Sequence, residues 1–198
     1  YSSGPPAPYL VMELVEGGRT LNREVATRVA HGQGFTSAEL REILHQALNA
    51  LEAAHQLDIV HRDLKPENII LQSAIGHPNF VRVLDFGLVK FVAQLSKTSV
   101  VMGTPIYMAP EHLLGNEVGP FTDLYSLGII CYELLIGRDP FPQASSEAVL
   151  WAKASGEYDP VEAAGGATTP AFVLDFLGRA VAPDPKKRIR TVEAFRGE

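Results

Sequence analysis

A chain of 198 residues that is 46% apolar and 20% charged can bury a core of its own, which separates it from disordered and fibrous sequences and suggests one domain or a large piece of one. Its net charge of −6 argues against a nucleic-acid module, which would carry a basic face. No apolar run reaches the roughly 18–20 residues that span a bilayer. Residues 1–8 lack the basic start and apolar middle of a signal peptide, and the single Cys131 rules out an internal disulfide framework, so a cytoplasmic setting is expected.

Along the chain, residues 9–14 read as a short β-like run that Glu16-Gly17-Gly18 breaks. A helix is expected over Leu21 to Val29. His31-Gly32-Gln33-Gly34 reads as a turn, because its Gly-x-Gly lacks the third glycine of a phosphate-binding loop and follows no strand. Thr36-Ser37-Ala38-Glu39 has the form of a capping box, and Leu40, Ile43, Leu44, Ala47, Leu48 and Leu51 then recur at helical spacing. Ile59-Val60 and Ile69-Ile70-Leu71 are expected as short strands, Ser73 to Asn79 as a polar turn, and Val81 to Leu84 as a strand delivering Asp85. Phe91 to Met102 is a loop carrying Ser96, Thr98 and Ser99.

Phe121 to Ile136 is apolar nearly all round, the pattern of a buried central helix, and Cys131 within it reads as a structural thiol. Helices are expected over Ser146 to Ser155, with Trp151 partly buried, and over Ala171 to Val181. Asp159 to Pro170 reads as a loop, and the last residues as the start of one more helix. None of the six histidines has metal-ligand spacing with Cys or carboxylate partners. The overall pattern is α+β, mainly α, with hairpin-like strands and no βαβ unit.

Three stretches carry chemistry. His61-Arg62-Asp63-Leu64-Lys65-Pro66-Glu67-Asn68 packs a carboxylate, an ammonium and an amide into six residues, Asp63 to Asn68. Asp85-Phe86-Gly87 follows, and then Gly103-Thr104-Pro105-Ile106-Tyr107-Met108-Ala109-Pro110-Glu111. In this order they resemble the catalytic loop, the metal-binding triplet and the substrate platform of the protein kinases. Lys65 resembles the serine/threonine-specific branch, and the region Ala182-Pro183-Asp184-Pro185 is similar to bacterial members. An isolated Asp-x-Lys would be an exposed ion pair by default; the agreement of all three stretches favours the kinase loop.

The resemblance implies a protein-kinase fold, ATP and Mg²⁺ as cofactors, and serine or threonine hydroxyls of proteins as acceptors. It makes Asp63 the base that orients the acceptor hydroxyl and Lys65 the cation beside the γ-phosphate. Asn68 and Asp85 become the metal ligands, and Thr104 a hydroxyl touching Asp63 and Lys65. Met12, Glu13 and Val15 resemble the hinge that holds adenine, with Ile70 beneath the base; Lys65, Glu67, Asn68 and Asp85 complete the nucleotide site. Arg19 stands where many relatives place an acid for the ribose. Arg62 implies control by phosphorylation of the loop, first at Thr98, within a kinase dimer. Asp123 resembles the aspartate that caps the catalytic loop, Glu111 and Arg188 a buried pair, and His61 and Phe86 members of an apolar stack.

The resemblance covers the larger helical lobe, with residues 1–19 as the end of the N-terminal lobe and the hinge, and 20–198 as the C-terminal lobe. No Gly-rich loop, strand lysine or partner glutamate precedes the hinge, so the chain by itself is expected to show little activity and to expose an apolar face. Two other readings remain at this stage. One is a non-catalytic scaffold module of kinase-like form, which the intact Asp63, Lys65, Asn68 and Asp85 oppose. The other is a small-molecule phosphotransferase, which the stretch Gly103 to Glu111 opposes.

Overall fold

Thr36 starts the longest helix before the centre of the chain, and it does so by the box its sequence promises. Its hydroxyl accepts from the Glu39 amide at 3.2 Å, while the Glu39 carboxylate accepts from the Thr36 amide at 2.8 Å. The structure is a computed structural model, and it describes residues 11–74, 77–86, 105–141, 145–156, 159–164 and 169–197. Its helices are α1 (Leu21–Ala30), α2 (Ser37–His55), α3 (Pro110–Leu113), α4 (Pro120–Ile136), α5 (Ser146–Ser155), α6 (Pro160–Ala164), α7 (Ala171–Ala180) and α8 (Val192–Arg196). Its strands are β1 (Arg19–Thr20), β2 (Ile69–Ala74) and β3 (His77–Val83), in one antiparallel sheet of order β1-β2-β3.

The helix α4 is the centre. Thr122 to Tyr132 are all buried, as an apolar helix without a polar face requires. Burial pushes the Cys131 thiol up to about 12, so it is inert packing. Helix α7 crosses α4 closely at Gly128, where an added Cβ would meet the Ala180 Cβ and Val181 Cγ1 each at 3.0 Å and the Ala180 backbone carbon at 3.2 Å. Gly128→Val is therefore expected to cost about 2–3 kcal/mol by overpacking, read as a lower denaturant midpoint at unchanged slope.

The turn at His31-Gly32-Gln33 is a helix stop. The Gln33 amide donates to Arg28 O at 2.8 Å and the Gly32 amide to Val29 O at 3.0 Å, with Gly32 at φ +64. Five expectations are corrected. The described part of the 9–14 run, residues 11–14, is not a strand: Val11 and Leu14 are 82% and 80% exposed, and no described strand lies alongside to pair its backbone. Ile59-Val60 is not a strand either, because the Ile59 amide is spent on Ala54 O and closes the end of α2 over Asp58 at φ +57.

The third correction concerns Ser73 to Asn79. Strand β2 runs on to Ala74 and β3 begins at His77, so Ser73, Ala74 and His77 to Asn79 are strand and not turn. Asn79 is drawn into the fold, its carbonyl accepting from Gln46 of α2 at 2.9 Å and its side-chain oxygen from Arg19 at 3.0 Å. The expected loop over Asp159 to Pro170 contains α6, started by Pro160 in the first turn and by Asp159, whose carboxylate accepts from the Val161 amide at 2.8 Å. Trp151 is 63% exposed on the outer side of α5, whose Val149, Ala152 and Lys153 face inward. Among the described residues, no helix is long and apolar enough to cross a membrane.

Candidate active site

Leu64, 1% exposed, and buried Pro66 anchor a loop between α2 and β2. Between these two anchors stands Lys65, whose ammonium lies 2.8 Å from the Asp63 carboxylate. The two side chains keep about a fifth of their surface in solvent, 23% for Asp63 and 20% for Lys65, so a substrate can reach them. A single 3₁₀ turn, Pro66–Asn68, then turns the chain into β2. Asn68 is buried; its amide nitrogen donates to the main-chain oxygen of Asp63 at 2.8 Å, which fixes which way its amide oxygen faces.

Asn68 and Asp85 stand at the same end of one hairpin. Ile69 pairs with Val83, and the Leu84 amide donates to Asn68 O at 2.8 Å, so the residue before Asp85 is tied to Asn68 itself. His61 reinforces the junction: its Nε2 donates to Leu84 O at 2.7 Å, while its Nδ1 accepts from the Asp63 amide at 3.3 Å. Its ring lies 4.7 Å from that of Phe86, centroid to centroid. Both Arg62 and Asp85 sit in the left-handed region, at φ 70 and 62. That is uncommon for residues other than glycine and costs about 1–3 kcal/mol each unless the surroundings hold it.

At Arg62 the holding group is Asp123 of α4. Its carboxylate is fully buried and accepts from the His61 amide at 2.9 Å, from the Arg62 amide at 2.8 Å and from His55 Nε2 at 2.8 Å. Two main-chain donors of the loop thus converge on one side chain of the central helix. The expected pair of Glu111 and Arg188 is also present, buried, with contacts of 2.8 and 3.0 Å.

Pro66 of this loop and Tyr107 of residues 105–109 line one pocket of about 310 Å³ together with Leu21 and Val25 of α1 and Leu134 of α4. The Tyr107 hydroxyl donates to the Glu133 carboxylate at 2.9 Å. Burial pushes the Glu133 carboxyl up to about 7, against the opposing hydrogen bond from Tyr107 and with help from the charges of Asp139 and Glu67. The folded value lies above the ordinary one of 4.5, so the folded protein holds the proton more tightly than the unfolded chain. This contribution to stability is full below about pH 4.5 and is lost as pH rises through about 7. Glu133→Gln should flatten that segment of the stability profile, checked by denaturant midpoints between pH 4.5 and 7.5.

Of the residues expected to form the hinge, Met12 and Glu13 are exposed and Val15 is half-buried. Met12 is 55% exposed, and Glu13 points outward to Arg82 at 3.8 Å. Val15 and Ile70 do come together: a Cβ on Gly18 would stand 2.7 Å from Ile70 Cγ2 and 2.9 Å from Val15 Cγ1. Only a residue without a side chain lets these two approach. Glu67 is exposed and its carboxylate accepts from Asn22 of α1 at 3.2 Å. Arg19 pairs with Glu24 at 2.5 Å. Thr104, Gly87 and the candidate phosphorylation sites Ser96, Thr98 and Ser99 lie outside the described residues.

Sequence reasoning gave Tyr107 no role of its own within its stretch and missed Ser126, Glu133 and Lys153, which organise residues 105–109. The one available signal was Lys153 itself, a charge four positions after Val149 on the inward side of α5.

The profile of the family described as the protein kinase domain matches residues 4–197. The chain is 42% identical over 195 residues to the serine/threonine-protein kinase Pkn1 of Myxococcus xanthus, an alignment covering 97% of this chain and 27% of that protein. It is 35% identical over 192 residues to myosin light chain kinase A of Dictyostelium discoideum, covering 96% of this chain and 62% of the other. With the serine/threonine-protein kinase PknL of Mycobacterium tuberculosis the identity is 37% over 183 residues, covering 91% and 43%. The chain thus spans 27% to 62% of the length of these relatives.

Proposed function

The chain belongs to the protein kinase domain family, on its serine/threonine branch, and we propose that it provides the phosphoryl-transfer centre of an enzyme that moves the γ-phosphoryl group of ATP to serine and threonine hydroxyls of proteins. In this reading residues 20–198 form the helical lobe, and residues 1–19 the hinge and the end of the other lobe. The observation that carries it is the 2.8 Å Asp63–Lys65 pair on a partly open loop, tied through Asn68 and His61 to the strand end that bears Asp85.

Each residue has a task that its position allows. Asp63 accepts the hydrogen bond of the acceptor hydroxyl and takes its proton on a carboxylate oxygen. Lys65 holds Asp63 in place and turns its ammonium to the transferring phosphoryl group, where negative charge builds. The donor set fits Mg²⁺: Asn68 offers an amide oxygen and Asp85 a carboxylate, both hard ligands. Among the described residues, no cluster of three or more His, Cys, Asp or Glu forms a cage. An ion that keeps several waters and takes phosphate oxygens needs only such a pair. When bound, it neutralises phosphate charge during the transfer. Ile70 offers an apolar floor to the adenine, Met12 stands beside it as gatekeeper, and Glu13 and Val15 offer the adjoining backbone.

The test is transfer of label from γ-labelled ATP to a protein acceptor by the full-length protein, with Mg²⁺ and then with a chelator. Phosphoserine or phosphothreonine that vanishes on chelation is the expected result. A folded protein that binds ATP yet labels nothing would replace this reading with that of a binding module.

A further inference from the structure

Three successive carbonyls in residues 106–108 are each taken by a side chain from a distant helix. Ser126 of α4 donates to Tyr107 O at 2.8 Å. Lys153 of α5 donates to Ile106 O and, at 2.7 Å, to Met108 O. Lys153 is only 4% exposed, and its ammonium lies 5.0 Å from the centre of the Tyr125 ring and 4.7 Å from that of Phe141. Among the described residues no carboxylate pairs with it, and burial pulls it well below its ordinary pKa.

A lysine is almost never this buried without an acidic partner. Stability alone gives no reason for it here. A methionine would fill the same space without the cost of desolvating an amine, and such replacements of buried charge are often neutral or stabilising. What methionine cannot do is hold two carbonyls that flank one residue, and so fix the course of the main chain through Ile106, Tyr107 and Met108. That segment and the loop of Asp63 and Lys65 line one pocket, through Tyr107 and Pro66.

We propose that Lys153 is a positioning residue for protein substrates: by clamping Ile106 O and Met108 O it sets the surface on which the peptide residue next to the acceptor hydroxyl rests. This rests on the phosphotransfer reading given above. Lys153 is buried with its ammonium on Ile106 O and Met108 O, so its effect is expected on peptide selection and not on the nucleotide.

The experiment compares wild type and Lys153→Met in the full-length protein. The probes are serine peptide libraries with one fixed residue beside the acceptor, together with labelled ATP. The expected result is a flattened preference at that position and a peptide KM raised about tenfold, the scale of one lost hydrogen bond to a charged donor. KM for ATP and ATP hydrolysis without acceptor should stay within about twofold, since no ATP-site group is touched. Hydrogen exchange at amides 106–109 should speed up in the variant while α4 stays protected. If Lys153→Met does not fold, Lys153→Gln keeps two N–H donors without a charge and should show an intermediate shift.

A folded variant with wild-type peptide preference and unchanged exchange at 106–109 overturns the proposal. So does a loss in which peptide KM, ATP KM and thermal stability move together, which is the mark of a merely structural lysine. If wild type transfers no phosphoryl group, the phosphotransfer reading falls and the substrate role of Lys153 falls with it. The exchange data would then separately report whether the ammonium holds the segment.

Discussion

Asp63→Asn is expected to slow phosphoryl transfer by the full-length protein about 10²–10⁴-fold, the range for losing a positioned proton acceptor. The substitution keeps size and shape and removes only the charge and the basicity. The loop should survive it. The Asp63 side chain is a quarter exposed and bonds Lys65, while the contacts that shape the loop use the main chain: Asn68 binds Asp63 O, and Asp123 binds the amides of His61 and Arg62. ATP affinity should therefore change little, and the loss should fall on kcat for the protein acceptor. The measurement is single-turnover transfer, with nucleotide binding followed in parallel. Transfer within a few-fold of wild type would remove Asp63 from the chemistry and leave the Asp63–Lys65 contact as a surface ion pair worth under about 1 kcal/mol.

What could be read from the sequence followed local rules. The cap at Thr36, the apolar stripe of α2 and the all-round apolar α4 are short-range patterns, and each appears where its periodicity places it. The loop of Asp63, Lys65 and Asn68 stood out in the sequence because a carboxylate, an ammonium and an amide fall within six residues. Errors came where the backbone had a competing use. Ile59 looks like a strand residue, yet its amide closes α2, since a helix end must satisfy its carbonyls. Residues 11–14 have strand composition without a described partner to pair with. Asp159-Pro160 was a helix start hidden in a glycine- and alanine-rich stretch. The least legible part was the support of residues 105–109. Lys153 and Ile106 lie 47 positions apart, and no local pattern announces that an ammonium will serve two carbonyls. Asp123 and Glu111 were accessible through resemblance alone, for the same reason of distance.

Breaking the Glu111–Arg188 pair should cause the largest loss of stability, about 3–5 kcal/mol for Arg188→Met, because a buried carboxylate is left without its cation. The guanidinium is fully buried and the carboxylate is 3% exposed. For a domain of this size such a loss lowers the melting temperature by on the order of 10 °C. The two ends of the pair are not equivalent. Arg188 also donates to the carbonyls of Ala182 at 2.9 Å, Phe121 at 3.2 Å and Pro183 at 3.2 Å, and it lies 4.7 Å from the Tyr125 ring centre. Glu111 has one further donor, the Thr122 hydroxyl at 3.0 Å, which stands at the start of α4. Glu111→Gln therefore leaves Arg188 with its three carbonyls and should cost roughly 1–2 kcal/mol less than Arg188→Met. The double variant Glu111→Gln/Arg188→Met removes the stranded charge but still orphans the carbonyls, so it should recover only part of the loss. Denaturant midpoints for the four proteins form a double-mutant cycle that checks the order. Full recovery in the double variant would mean that the carbonyls find other partners and that the pair joins α3 to the chain after α7 by charge alone.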